Sequence, residues 1–158
     1  MVARTPGGRE VASSSLVSLT TNLFMNFIYS LLADANHSLP DGDVFMHDVV
    51  APAEIFFSKY FNIDWKINAI FTTSLPWLVI PEDKVGGKTY ASDFVALAVN
   101  KDTSAHKASE MLIHELAHAI RWGKNPEWSN NLFCELVNEG LAVHIEARFA
   151  NGFLEYYS

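Results

Sequence analysis

Three residues in one short stretch are the best placed in this chain to do chemistry. His114 and His118 lie four residues apart, with Glu115 directly after the first. On an α-helix that spacing puts the two imidazoles about 40° apart on one face, one turn above the other, where they can grip a single ion. Glu115 then sits where it cannot easily ligate but can accept a proton from a water the ion activates. A catalytic zinc takes three protein ligands and keeps a position for water. Further along, Asn138-Glu139-Gly140-Leu141-Ala142 offers Glu139 as a third ligand. The chemistry these residues suit is metal-assisted hydrolysis, in which the metal lowers the pKa of water and a carboxylate makes hydroxide available to a carbonyl.

Such a site needs two helices that face each other. Thr103 or Ser104 can cap a helix that runs to about Trp122 and stops at Gly123. Its core stripe is Leu112, Ile113, Leu116 and Ile120, with His114 and His118 to one side. A second helix is predicted from about Ser129 to Phe149. Glu135, Glu139 and Glu146 fall on roughly one face of it, at offsets of four and seven residues, able to look across at the histidines.

The preceding chain predicts the scaffold. Residues 1–15, with Pro6, Gly7 and Gly8 and a serine cluster, read as a flexible arm, leaving 16–158 as one domain. Apolar spacing predicts a core helix from Leu16 to Ala35, and Pro52 opens another from Ala53 to Phe61. Pro40-Asp41-Gly42-Asp43 is a turn. Alternation over Ile67, Ala69 and Phe71 predicts a strand, as do the run Trp77 to Ile80 and the run Phe94 to Val99, with Gly86-Gly87 as a turn. Helices, a small sheet and two further helices make an α+β order.

Composition narrows the function classes. The chain has 158 residues, enough for one domain with a proper core. Eleven basic against eighteen acidic residues give a net charge of −7, which disfavours nucleic acid as a partner. The single cysteine, Cys134, permits no internal disulfide and no cysteine-rich zinc framework, so histidine and carboxylate must hold any metal. No transmembrane segment is apparent. Arg4 and Arg9 before the apolar run Leu23 to Ala33 have some look of a signal peptide, but Asn26, Ser30 and Glu10 dilute it. The reading therefore favours a core helix and a cytoplasmic protein, with secretion the alternative if residues 1–35 are a leader.

The His114-Glu115-Leu116-Ala117-His118 helix, followed some twenty residues on by Glu139-Gly140-Leu141-Ala142, resembles the gluzincin zinc peptidases. It is closer still to a bacterial family of predicted zinc proteases, which pair a His-Glu-x-x-His helix carrying a following Arg, here Arg121, with a Glu-Gly-Leu-Ala helix. The likeness covers roughly Tyr90 to Glu146. It implies a compact, zincin-like α+β domain with helices, a small mixed sheet, zinc as cofactor, and His114, His118 and Glu139 as its ligands. It also implies a peptide or protein substrate added as a strand to an edge strand, best matched by Phe94 to Val99.

Two departures bear on activity. Gluzincins commonly carry an acid four residues after the ligand glutamate to orient the first histidine, and this chain has Val143 there. Glu135, Glu146 or a backbone carbonyl must then hold the imidazole N–H. The donor to the developing oxyanion is matched by no motif; Tyr156 and Tyr157 rank first and Arg148 behind them, while His144 faces away. His37, His47 and His106 read as surface histidines, and the four tryptophans as core or loop anchors. The expected function is a zinc peptidase with Glu115 as general base. The alternatives are a non-catalytic module that recognises a peptide, and a regulatory peptidase that cuts one cognate protein.

Overall fold

The computed structural model of the chain describes residues 27–32, 41–125 and 131–156. A four-stranded mixed sheet carries its helices on one face. The strands are β1 (Phe27–Leu32), β2 (Ile67–Thr72), β3 (Gly86–Ala91) and β4 (Phe94–Ala98), in the spatial order β1-β2-β4-β3. The first two pairings are parallel, with Tyr29 opposite Ala69 and Phe71 opposite Leu97. The last is antiparallel, with Thr89 opposite Val95. The helices are α1 (Gly42–Phe45), running through a wide turn at Met46–Val50 into α2 (Ala51–Tyr60), then α3 (Ala105–Lys124) and α4 (Leu132–Tyr156). The fold is α+β, as the element order predicts.

Alternation decides which side of the sheet is covered. Phe27, Tyr29 and Leu31 in β1, Ile67, Ala69 and Phe71 in β2, and Val95 and Leu97 in β4 all turn to the helices and are buried. They meet Phe57 from α2 and Leu112, Ile113 and Leu116 from α3, all fully buried. Aromatic rings continue the core outward: Phe27 packs edge-on against Phe57, and Phe56 against Phe149 of α4. That last contact ties the far half of α4 to α2.

Helix α3 starts where the sequence predicts. Ser104 has extended backbone and its hydroxyl accepts from the Lys107 N–H, a side-chain N-cap. Its C-terminal end differs. Gly123 lies inside the helix, not beyond it, and its role is packing: a Cβ there would come within 2.3 Å of the Trp65 ring. The Trp65 indole in turn donates to the Ser92 carbonyl at 2.9 Å, so one tryptophan joins the end of α3 to the β3–β4 turn.

Several other expectations are corrected. Part of the predicted Leu16 to Ala35 helix is strand β1, because residues 27–32 pair along their length with β2; the rest of that helix and the 1–15 arm lie outside the described residues. Helix α1 already begins at Gly42, in the predicted turn. Pro76–Leu78 is a single helical turn, since Pro76 cannot serve a ladder, and only Ile80 of that run bridges to Val85. Gly86 and Gly87 are not a turn but the first residues of β3, paired with Ala98 and Leu97. Strand β4 is consequently interior, flanked by β2 and β3. The strand that ends the described sheet beside the cleft is β3, so Phe94 to Val99 cannot accept an added strand.

Candidate metal centre

Helices α3 and α4 run antiparallel, so that His114 stands opposite Glu146 and His118 opposite Glu139. The apolar stripe of α3 faces the sheet and leaves the two imidazoles on its flank toward α4. On α4, Ala142 and Phe149 are buried, which turns Glu135, Glu139 and Glu146 toward the same cleft. The cleft has a volume of about 770 Å³ and opens between α4, α3 and β3.

The geometry at its floor is tight. The Nε2 atoms of His114 and His118 lie 3.1 Å apart. Glu139 directs one carboxylate oxygen at each, 3.4 Å from His114 Nε2 and 3.4 Å from His118 Nε2. Zinc bonds of 2.0–2.2 Å in a tetrahedron space the ligand atoms by roughly 3.3–3.6 Å. The observed separations are close to that figure, and among the described residues these three side chains form the group that could hold a metal ion. The residues fit zinc in kind as well, being nitrogen and carboxylate donors.

Each imidazole has a distinct electrostatic setting. The Nδ1 of His114 meets Glu146 Oε2 at 3.1 Å. That hydrogen bond raises the His114 pKa, with burial working against it. Glu146 therefore fills the part left open by Val143, which is 54% exposed and turns to solvent. His118 is shifted the other way, lowered chiefly by burial although the Glu139 charge favours its protonated form. Burial thus favours the neutral imidazole, the form that can offer a lone pair to a metal.

Glu115 is only 6% exposed, and burial pushes its carboxyl above the usual carboxylate range while a hydrogen bond from Thr89 pulls the other way. The Thr89 hydroxyl lies 2.8 Å from Glu115 Oε2 and 2.8 Å from the Glu115 carbonyl oxygen. Glu115 also rests against Gly87, where an added Cβ would stand 2.4 Å from its Cγ. Neither β3 residue is singled out by the sequence, because no spacing rule links a strand position to a helix residue nearly thirty positions away. The cleft is also lined by Leu78, Ile80, Asp83 and Met111, by Trp122 and Glu135, and by Lys88 from β3.

The remaining candidates among the described residues stand apart from the cleft. Helix α4 continues without a break to Tyr156, which carries that residue about 25 Å along the axis from Glu139. The helix does not bring Tyr156 to the His-His-Glu group, and Tyr157 lies outside the described residues. Arg148 covers the ring of Tyr60 at 4.7 Å, and His144 is exposed. His47 is an exposed partner of Asp48, and His106 pairs with Glu110 one turn on. His37 and Trp128 lie outside the described residues.

Fold and site together define an α+β domain in which two antiparallel helices gather a His-His-Glu group able to hold a metal. The chain belongs to the family described as predicted Zn-dependent protease (DUF2268), which matches residues 53–155, from α2 to the end of α4. No curated protein and no solved structure matches the chain. No helix of the described residues is long and apolar enough to cross a membrane.

Proposed function

We propose that the chain is a zinc-dependent peptidase in which His114, His118 and Glu139 hold the metal and Glu115 is the general base. The observation that carries this reading is the 3.1–3.4 Å triangle of Nε2 and carboxylate atoms at the floor of an open cleft. Zinc, when bound, supplies a Lewis acid that polarises a carbonyl and lowers the pKa of water. The chain's own residues do the rest. Glu146 fixes the His114 ring so that Nε2 points at the site. Glu115 stands beside the ligand histidine, in a buried seat where its raised proton affinity suits both steps asked of it. It takes a proton from the attacking water and passes it to the departing amine. The substrate is a peptide laid along β3, the strand at the end of the described sheet, so that its scissile bond crosses the cleft.

The test separates binding from turnover. Glu115→Gln should retain zinc, measured by elemental analysis, and lose hydrolysis of unstructured casein by the 10²–10⁴-fold typical of a general base. Retained turnover in that variant would sink the mechanism. Glu139→Ala should lose zinc, and unchanged metal content would move the third ligand to Glu135 or Glu146. Silence of the zinc-loaded wild type on casein would favour a binding module or a peptidase restricted to one cognate protein.

A further inference from the structure

We propose that Gly87 and Thr89 of β3 form a seat that fixes the Glu115 carboxylate in its working position, Thr89 as a positioning residue and Gly87 as the space the carboxylate occupies. The inference rests on Glu115 being the general base.

A glutamate side chain has three rotatable bonds, and on a helix flank nothing in the helix itself selects one arrangement of them. Here two neighbours on one strand do. Alternation along β3 turns residues 87 and 89 to the same side, toward α3. At Gly87 the missing Cβ leaves a hollow: an added carbon would lie 2.4 Å from Glu115 Cγ and 2.6 Å from its Oε1. Any side chain at 87 would thus expel the carboxylate. At Thr89 the hydroxyl lies 2.8 Å from Oε2 and equally 2.8 Å from the main-chain oxygen of the same residue. It stands within hydrogen-bond reach of both the tip and the root of Glu115. Both oxygens are acceptors and a hydroxyl carries a single hydrogen, so Thr89 donates that hydrogen to one of them or shares it between the two. The threonine is itself stiff, being β-branched in a paired strand opposite Val95.

A seat of this kind acts on the reacting geometry and not on metal or substrate affinity. Thr89→Val keeps shape and removes the hydroxyl. A hydrogen bond to a charged group contributes enough that kcat should fall about 10–100-fold, with KM and zinc content unchanged. Thr89→Ser should restore most of the rate, since it returns the hydroxyl. Gly87→Ala should lower kcat further than Thr89→Val. Wild-type kcat in Thr89→Val, a Thr89→Ser as slow as Thr89→Val, or a loss confined to KM or to zinc would each overturn the proposal. A second measurement keeps the proposal apart from the peptidase reading. In urea unfolding of the metal-free protein, a double-mutant cycle of Thr89→Val with Glu115→Gln should show coupling of at least about fivefold in the folding equilibrium. Inactivity of the wild type would defeat the peptidase reading, while absence of that coupling would defeat the seat whether or not the protein turns over.

Discussion

Replacing Glu146 by Gln tests how the centre manages without an acid at position 143. The substitution keeps length and shape but takes away the charge that faces His114 Nδ1 at 3.1 Å. Acceptors of this kind orient a ligating imidazole and raise its basicity, and their loss typically costs 10–100-fold in metal affinity. Glu146 is about one-third exposed, and solvent screens the pair, so the effect belongs at the low end. About tenfold in Kd, equivalent to about 1.4 kcal/mol, is expected at pH 8. The pH dependence has a definite sign. Glu146 also raises the pKa of His114 in the metal-free protein, so acidification makes a proton compete for the wild-type site earlier than for the variant. The tenfold gap should therefore narrow as pH falls from 8 to 6. Competition with a chromogenic chelator at both values measures it. An unchanged Kd at pH 8, or a gap that widens on acidification, would refute the assignment. Adding Val143→Glu to the variant should restore nothing, because that position turns to solvent.

Two other outcomes follow from the packing. The proposed ligands come from α3 and α4, so stripping the metal should lower the melting temperature and speed amide exchange selectively in α4. At free zinc one hundred times Kd the stabilisation is about 2.7 kcal/mol, and exchange that rises equally in β2 would contradict the selectivity. Gly123→Ala should destabilise despite a helix-propensity gain of about 1 kcal/mol, since overpacking against Trp65 costs about 1–3 kcal/mol. In a Trp65→Ala background the same change should become stabilising, which urea unfolding would show.

What the sequence discloses, and what it conceals, divides along the range of the interactions. The candidate metal group was legible because His114, His118 and Glu139 obey helix spacing within two helices whose stripes and cap are local. Strand β2 was legible because Ile67, Ala69 and Phe71 alternate. Strand β1 was not: Phe27 and Leu31 are four apart, which suits a helix turn and two strand steps equally, and only pairing of Tyr29 with Ala69 in the folded sheet settles it. The glycines at 86 and 87 look like a turn because their need for closeness comes from distant residues. With β3 hidden in that way, β4 looked like an edge. Glu146 stood among three open choices until the antiparallel alignment of α3 and α4 placed it on His114.

The distribution of charge in the cleft has a consequence for the end of the proposed catalytic cycle. Among the described residues, Asp83, Glu115, Glu135, Glu139 and Glu146 line it against a single lysine, Lys88. Hydrolysis of a peptide bond converts a neutral amide into an anionic carboxylate and a cationic amine. In this acidic surrounding a newly formed carboxylate would be repelled, by up to about 1 kcal/mol per exposed neighbour at 4 Å. The amine-bearing fragment is attracted instead. For the peptidase proposed above, the cleft would thus sort its two products by sign: the carboxylate fragment would depart readily, and the fragment with the new N-terminus would linger and compete with the next substrate.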